Sequence, residues 1–554
     1  MTIKNRFFQR EYSTISYIVI FTTINIALYS IPVLDYARHH VDASTSVGKL
    51  ILASMLVTNY CFTILVISTI AIVSRRLLKI FCVIVLSINS VAFYFMDTYQ
   101  VILDKSMIGN IFNTRTQEAL ELFHPMLVLY FLLLGVMPAL IMWRVKTKKT
   151  PFLRRIVMVP IAFIALSGWA YATSPTWLWI DEHSKQVGGL LLPWSYVVNG
   201  VRHISAQQER APPKKLPNGT LASLPPETHR IIIVLVLGES ARSANFSAYG
   251  YQRETQPYTQ NTGLVALSNP RACSTYTTKS LACIFSHQGS EVSSWPRYEP
   301  LPSYLFRHGV DVIWRSHNWG EPQIDVSEYE SATQIRKACQ DQGCKNLEYD
   351  EVLLYNLEKK IQDSTSDRIL VVLHQTGSHG PSYFSTYPRS FEIFKPVCKS
   401  VQLDTCSTEE LVNAYDNTIV YTDYLLSQVI KILNQYHDSE TALLFVSDHG
   451  ESLGEFGVYL HGTPNAVAPN VQRDIPFLVW MSDQFKRAKG IDTSALKRLQ
   501  GISHDNVFHS VIGAFGMDSP IYRSELDIFS PLQKPLKSVK VTPSCESSTL
   551  AGKS

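Results

Sequence analysis

Acidic and imidazole side chains directly follow three separate apolar runs in this 554-residue chain. Such side chains bind divalent cations, and a mixture of carboxylates and imidazoles favours zinc, with manganese as the rival ion. A lone aspartate or histidine after a strand usually caps or turns the chain, but three such endings that converge predict a metal centre. The candidates are Glu239 after the first run, His374 and His379 after the second, Asp448 and His449 after the third, and His461 on the glycine-rich stretch beyond.

Hydroxyl side chains crowd the segment between Cys273 and Cys283. A hydroxyl bound to zinc loses its proton near neutral pH and becomes a nucleophile. A helix that begins in this segment would also favour an incoming phosphate at its amino end. Chemistry alone does not choose among the hydroxyls, and a helix cap with its loop would use the same residue types. The candidate nucleophiles are Thr275, Thr277, Thr278 and Ser280.

Buried strands are the elements that must position these side chains. Residues 231–237, 369–373 and 442–446 are continuous aliphatic runs, as in strands buried on both faces. Helix-like segments such as 409–435 intervene, and this alternation predicts an α/β domain with a mostly parallel sheet covered by helices on both faces. Ligands of such sheets bind beyond the carboxyl ends of the strands, so the three endings should meet at one edge.

The amino-terminal third is apolar and predicts a membrane domain. Lysine and arginine concentrate in the amino-terminal tail and in the second and fourth connections between apolar stretches. The positive-inside rule therefore predicts a cytoplasmic amino terminus, and an odd number of crossings delivers the rest of the chain to the opposite side. Five stretches approach the roughly 20 residues that a crossing needs. They are 12–34, 50–73, 78–96, 124–143 and 156–175.

Composition also predicts the domain boundaries. A tryptophan-rich stretch and then a proline-rich stretch follow the last apolar run, and prolines of this density exclude a regular helix or central strand. We expect a transmembrane domain of five helices over 1–180, an interfacial connector and linker over 181–228, a catalytic domain over 229–535 and a polar tail over 536–554.

Charge and cysteine usage narrow the function classes further. A net charge of +4 is too small to favour nucleic acid as a partner. Six of the nine cysteines form close sequential pairs, which predicts disulfides in an oxidising compartment; zinc binding is the alternative, but no CxxC motif is present. Cys545 is left over in the tail. The predicted pairs are Cys273 with Cys283, Cys339 with Cys344, and Cys398 with Cys406.

Three motifs carry a resemblance to a known family. The most specific is Ser447-Asp448-His449-Gly450-Glu451-Ser452-Leu453-Gly454-Glu455, which continues to Tyr459-Leu460-His461-Gly462. The others are Gly377-Ser378-His379-Gly380-Pro381 and Gly238-Glu239-Ser240-Ala241-Arg242. With these motifs the chain resembles the bacterial phosphoethanolamine transferases of the alkaline phosphatase/sulfatase superfamily, which include lipid A and lipopolysaccharide-core enzymes and the mobile colistin-resistance transferases.

The resemblance implies a role for each matching residue. Glu239, Asp448 and His449 would bind a tightly held Zn2+ together with the hydroxyl of Thr277, which matches the family's nucleophile. His374, His379 and His461 match positions near the transferred phosphate, where they would bind a second zinc or stabilise the leaving group. The six paired cysteines match three family disulfides.

In the membrane part, Asn110, Thr114 and Glu118 match a family motif for the phosphatidylethanolamine head group, and Glu118 could meet its ammonium. Their spacing places them on one helix face, which could also be a solvated face without a ligand. The implied protein is a monomeric, multi-pass inner-membrane enzyme with a periplasmic catalytic domain among membrane lipids.

The implied reaction moves phosphoethanolamine from phosphatidylethanolamine to a lipid A phosphate, or to a Kdo or core sugar of lipopolysaccharide. It passes through a phosphothreonine-type intermediate, releases diacylglycerol and, by lowering the negative surface charge, favours polymyxin resistance. One alternative is a phosphoglycerol transferase that acts on a periplasmic glycan. A sulfatase would need a C/S-x-P-x-R motif, and the segment after Cys273 has neither that proline nor that arginine.

Overall fold

The computed structural model describes residues 10–113, 122–148, 150–208, 213–224, 228–293, 296–339 and 347–530. Long apolar helices make up its amino-terminal part, and shorter helices follow the last of them. The helices are α1 (Thr14–Tyr29), α2 (Ile31–His40), α3 (Ser46–Val73), α4 (Arg75–Tyr99), α5 (Lys105–Asn113), α6 (Pro125–Arg144), α7 (Phe152–Ala172), α8 (Trp177–Glu182), α9 (Ser184–Leu190) and α10 (Trp194–Gln208).

Four helices of the described residues are long and apolar enough to cross a membrane: α3, α4, α6 and α7. They correspond to the last four predicted spans. The first predicted span, 12–34, is instead a pair of helices, α1 and α2, which meet at Ser30 with a bend of 56°. Pro32 stands in the first turn of α2, where its missing N–H costs no hydrogen bond, and it cannot donate to the carbonyl four residues earlier in α1, so α1 does not continue through it. Five crossings result if the bent pair counts as one span.

A seven-stranded sheet forms the centre of the carboxyl-terminal part, within the residues that the structure describes. The strand order is β2-β7-β6-β1-β5-β3-β4. Strands β6, β1, β5, β3 and β4 are parallel, and β7 and β2 complete one edge in antiparallel pairing. The strands are β1 (Ile231–Gly238), β2 (Val265–Ala266), β3 (Asp311–Ser316), β4 (Glu328–Ser331), β5 (Arg368–His374), β6 (Glu440–Ser447) and β7 (Phe477–Met481).

Two apolar layers cover the faces of this sheet. One contains the helix α15 on the face of Ile232 and Val371, and the other contains α11 and α18 on the face of Ile233 and Val372. The mostly parallel sheet with helices on both faces is therefore confirmed. The helices are α11 (Thr277–Ile284), α12 (Leu301–Arg307), α13 (Ala332–Ala338), α14 (Leu357–Asp363), α15 (Thr408–Leu433), α16 (Asp483–Lys489), α17 (Thr493–Leu496) and α18 (Asp505–Ala514).

The register of the three central strands brings their carboxyl ends to one edge. Leu237 of β1 pairs with His374 of β5, and Gly238 of β1 pairs with Ser447 of β6. Each polar ending thus begins at the same level of the sheet, as the sequence pattern predicts.

Disulfides fasten two surface segments. Cys273 is bonded to Cys283, and Cys398 to Cys406, as predicted. Cys339 is also in a disulfide, and its predicted partner Cys344 lies outside the described residues, as does Cys545.

Candidate active site

The ends of β1 and β6 place two carboxylates and an imidazole in contact. Nε2 of His449 lies 3.3 Å from Oε1 of Glu239 and 3.1 Å from Oδ2 of Asp448. All three side chains are fully buried. The other carboxylate oxygen of Asp448 accepts hydrogen bonds from the backbone N–H groups of Ser240 (3.1 Å) and His449 (2.7 Å), which orient it.

Lone pairs face one another at this contact. Nδ1 of His449 lies 3.0 Å from the carbonyl oxygen of Gly450, which can only accept, so Nδ1 carries the proton of a neutral ring. Nε2 is then an acceptor directed at two carboxylates. Oδ2 of Asp448 is buried without a hydrogen-bond donor among the described residues. A cation that fills the space between these atoms satisfies all of them, and carboxylate oxygens with an imidazole nitrogen are a donor set that zinc prefers.

Burial without a counter-charge is reflected in the pKa values of the cluster. Burial and the neighbouring Asp448 raise the pKa of Glu239 to about 8, and burial raises the pKa of Asp448 to about 6. Burial also holds the pKa of His449 well below its usual value. Both carboxyl groups therefore resist ionisation in the absence of a counter-charge, and a divalent ion at this place would favour their charged forms.

Thr277 is the candidate hydroxyl that reaches this cluster. Its Oγ1 donates to Oε2 of Glu239 and lies 3.3 Å both from that oxygen and from Nε2 of His449. Thr277 is the first residue of α11, and the disulfide between Cys273 and Cys283 spans this turn. Oγ1 of Thr277 therefore lies both at the start of α11 and beside the cluster at the carboxyl ends of the strands.

The other candidate hydroxyls face elsewhere. Oγ1 of Thr275 donates to the carbonyl of Thr463 (2.7 Å), and Oγ of Ser280 donates to the carbonyl of Ser274 (3.4 Å). Oγ1 of Thr278 is buried with no hydrogen-bond partner in the described part of the chain. Geometry thus separates four residues among which the chemistry of the segment alone did not choose.

Two further histidines line the same space. The ring of His461 lies 4.2 Å from that of His449 and 5.5 Å from that of His379, between centroids. Glu239, His449 and His461 each offer a ligand atom, and these atoms lie within 4.8 Å of one another. His461 is therefore close enough to join the ligands of the tightly held ion, whereas the resemblance implies a second zinc or the leaving group as its partner.

His374 makes its contacts beside this group. Its Nδ1 lies 3.3 Å from a carboxylate oxygen of Glu321 and 3.4 Å from the hydroxyl of Ser316, and its Nε2 is buried without a partner among the described residues. Although burial opposes it, the hydrogen bond from His374 lowers the pKa of Glu321. The ionised Glu321 thus fixes the orientation of this ring.

Asn318 is a site residue that sequence reasoning missed. Its amide nitrogen donates to Oε2 of Glu239 and to the carbonyl of Gln375, both at 2.9 Å. It follows β3, whose carboxyl end lies at the same sheet edge. Treating the end of this fourth strand like the other three would have found it.

A buried hydrogen-bond network clamps the loop after β5 to the site. Asp350 accepts from the N–H groups of Thr376 and Gly377, both at 2.9 Å, and from Nδ1 of His317 at 2.7 Å. Nη2 of Arg336 donates to Nε2 of His317 at 2.8 Å, so that nitrogen accepts and Nδ1 carries the proton.

Gly377 lets this loop approach the site closely. It has φ +55°, and a Cβ there would lie 3.0 Å from the backbone N and O of Glu239. The loop that carries His379 is therefore held by the hydrogen bonds to Asp350 and by its close packing against the backbone of Glu239. Of the predicted head-group residues, Asn110 lies on α5, whereas Thr114 and Glu118 lie outside the described residues.

Comparisons with known proteins agree with this geometry. A Sulfatase family model matches residues 232–517, and a model described as phosphoethanolamine transferase EptA/EptB matches residues 60–208. The chain is similar to phosphoethanolamine transferase EptA of Helicobacter pylori, with 37% identity over 92% of this chain and 95% of the relative. It is also similar to phosphatidylethanolamine transferase Mcr-1 of Escherichia coli, with 30% identity over 81% of this chain and 86% of the relative.

A solved structure shares the whole architecture. The integral membrane protein lipooligosaccharide phosphoethanolamine transferase A from Neisseria meningitidis superposes with a TM-score of 0.84 at 29% identity. The match covers 94% of this chain and 99% of that chain, so the membrane helices and the sheet domain are both included.

Proposed function

The chain belongs to the phosphoethanolamine transferase family, and on that premise we propose that it transfers phosphoethanolamine from phosphatidylethanolamine to lipid A. The observation that carries the proposal is the hydroxyl of Thr277 in contact with both Glu239 and His449 at the start of α11. The acceptor is a lipid A phosphate, with a Kdo or core sugar as the alternative.

Zn2+ is the cofactor that we propose for this site. Glu239, Asp448, His449 and Thr277 would hold it, and the opposed lone pairs and the buried, undonated oxygen of Asp448 support this fit. When bound, zinc would lower the pKa of the Thr277 hydroxyl and offset negative charge on the phosphoryl oxygens.

Different residues of the chain carry out the separate steps of the first half-reaction. Oγ1 of Thr277 attacks the phosphorus of the donor in line, while its proton passes to Oε2 of Glu239, with which it is already hydrogen-bonded. The bond from phosphorus to the diacylglycerol oxygen breaks as the bond to Thr277 forms. His379 or His461 supplies the proton that the diacylglycerol oxygen needs to leave.

The second half-reaction runs the same chemistry in reverse with a new acceptor. A lipid A oxygen attacks the phosphothreonine, the bond to Oγ1 breaks, and Thr277 regains its proton. Both substrates are membrane lipids, so a catalytic domain on the periplasmic side of an inner-membrane anchor meets them where they diffuse. The product carries less negative charge, which would favour polymyxin resistance.

Mass spectrometry of lipid A tests the proposal. A host that expresses the full chain should show lipid A with one added phosphoethanolamine unit, and a host that expresses a Thr277→Ala variant should not. Phosphoethanolamine found on core sugars would identify a different acceptor for the same transfer reaction. Unmodified lipopolysaccharide with a stably expressed, metal-loaded protein would disprove the proposed transfer.

A further inference from the structure

Phe456 has the highest exposed fraction of the large apolar side chains that the structure describes, at 94%. It stands at the tip of a hairpin whose strands are Ser452–Leu453 and Tyr459–Leu460, directly before His461. A benzyl side chain fully in water forgoes the free energy that its burial would contribute. Because the ring lies close to His461, what surrounds it bears on the function of the active site.

The hairpin presents this ring from a rigid base. Glu455 accepts from Nη1 of Arg242 at 2.6 Å and from the N–H of Leu453 at 2.7 Å, and the N–H of Gly454 donates to the carbonyl of Val458 at 2.9 Å. Phe456 itself has φ +54° and ψ +24°, a left-handed conformation that disfavours a residue with a bulky Cβ substituent. The chain therefore holds an apolar ring outward at a backbone position that suits glycine or asparagine better.

One side of the hairpin borders the end of a membrane helix. The hydroxyl of Tyr99, the last residue of α4, donates to the carbonyl of Val401 at 3.0 Å. Val401 lies in the loop closed by the disulfide of Cys398 and Cys406, and the same loop carries Asp404.

Asp404 in turn acts electrostatically on the base of the hairpin. Burial, with the carboxylates of Asp404 and Glu455, raises the pKa of Tyr459, so Asp404 lies within electrostatic range of that strand. The ring of Tyr459 packs on Gly454, where a Cβ would lie 3.1 Å from its Cε1 atom. The loop that contacts the end of α4 and the base of the hairpin also share one apolar cluster, in which Leu403 and Leu453 are both buried.

The other side borders the helix that follows α4. The Cε atom of Met107, on α5, lies 2.9 Å from where a Cβ of Gly462 would stand, directly after His461. On the same helix Ile111 and Phe112 are 53% and 60% exposed. The helix that contacts the His461 loop thus carries exposed apolar side chains among the described residues.

We propose that Phe456 inserts among the lipids of the bilayer surface beside the active site, and that this contact holds the His461 loop at the height of the membrane-bound substrates. Lipid at this level follows from the adjacent membrane helices and does not depend on the proposed transfer reaction. The insertion offsets the cost of the left-handed backbone, because the ring leaves water.

Fluorescence quenching in the full-length protein tests the insertion directly. Cys61, Cys82 and Cys545 are replaced by alanine, Phe456→Cys is labelled with bimane, and the protein is reconstituted into phosphatidylethanolamine–phosphatidylglycerol vesicles. The matched control is Phe306→Cys on α12, 37% exposed, which precedes β3 and so lies at the opposite edge of the sheet.

Lipids that carry a doxyl group near the head of the acyl chain should quench the label at position 456 and spare the label at position 306. Aqueous iodide should show the reverse order. A label at position 456 that iodide quenches as strongly as the control, and doxyl lipid does not, overturns the proposal. Neither measurement requires the protein to be a transferase.

A second pair of variants tests the consequence. Phe456→Asn suits the left-handed backbone, so its thermal midpoint should equal or exceed that of the wild type, yet it should lose several-fold in transfer within vesicles through a higher KM for the donor. Phe456→Trp should retain transfer, and a short-chain donor in micelles should be used equally by all three proteins. An Asn variant as active in vesicles as the wild type refutes the role of the contact.

Discussion

Oε2 of Glu451 lies 2.8 Å from Nδ1 of His461, and the other oxygen of this buried carboxylate accepts a 2.5 Å hydrogen bond from the hydroxyl of Tyr383. The carboxylate is fixed by a group that does not titrate near neutral pH, because burial and Glu451 raise the pKa of Tyr383 well above its usual value. The carboxylate of Glu451 is thus held in place as the partner of Nδ1 of His461.

This pair predicts a shift in the pH dependence of transfer. Burial alone would lower the pKa of His461, but Glu451 raises it to about 9, so the ring is protonated below that pH and loses its proton as the pH rises through it. In Glu451→Gln the largest raising charge is gone while those of Glu239 and Asp448 remain, so burial should bring the pKa of His461 down. If protonated His461 serves the leaving group, the alkaline limb of the pH–rate profile should move to lower pH by roughly one to three units, the size of shift that one neighbouring opposite charge produces.

Glu455→Gln is the control for that profile. Glu455 belongs to the same segment but pairs with Arg242, so its removal should leave the alkaline limb in place. Identical profiles for the wild type and Glu451→Gln would show that His461 is not the titrating acid.

Replacing the proposed nucleophile should abolish transfer. Thr277→Ala removes the oxygen that forms the new bond to phosphorus, and the expected loss is about a thousandfold or more. Thr275→Ala, whose hydroxyl only donates to the carbonyl of Thr463, should retain most of the activity. Both are measured as phosphoethanolamine transfer in vesicles, with metal content determined in parallel; substantial transfer by Thr277→Ala would contradict the assignment.

Removing the clamp at Asp350 should weaken both the fold and the reaction. Asp350→Ala leaves two buried N–H groups and the ring of His317 without their acceptor, at a cost of roughly 3 kcal/mol in the free energy of unfolding. The loop that carries His379 is then free to move, so kcat should fall more than thermal stability alone explains. Neighbouring Glu351→Ala is the control, and thermal melting together with kcat and KM separates the two effects.

The disulfide that spans the turn of Thr277 should affect kcat more than the disulfide of Cys398 and Cys406 does, although both should contribute similarly to stability. A bridge that closes a loop of this length contributes roughly 2–4 kcal/mol. Replacing both Cys273 and Cys283 by serine should cost about that much and also reduce kcat, because Thr277 lies inside the closed loop. Replacing Cys398 and Cys406 should cost a similar amount with less effect on kcat; equal losses of kcat in both double variants would argue against a role in positioning.

Zinc affinity should depend on pH in a defined direction. Without metal, Glu239 has a pKa of about 8 and Asp448 a pKa of about 6, and zinc binds the deprotonated carboxylates. Affinity should therefore fall as the pH drops below 8, and more steeply below 6, with proton release on binding. Zinc titrations of the chelator-treated protein between pH 5.5 and pH 8.5 at roughly half-unit steps measure this slope, and Glu239→Gln should flatten its upper part.

Much of the architecture could be predicted from local patterns. The aliphatic runs of β1, β5 and β6 were located to within two residues, because a strand buried on both faces has to be apolar at every position. Their polar endings identified the site, since carboxyl ends of parallel strands share one edge. The kink at Ser30 was not predicted, because α1 and α2 together form one apolar stretch in which only Pro32 marks the bend.

The sequence by itself determined which residue types gather at the sheet edge, because that depends on strand pattern and on the direction of the chain. Only the tertiary structure decided that the hydroxyl of Thr277 donates to Glu239, that Asn318 donates to the same carboxylate, and that Glu451 holds His461. These relationships join atoms whose separations are set by the packing of α11, β3 and the hairpin against one another. No spacing along the chain encodes such a distance.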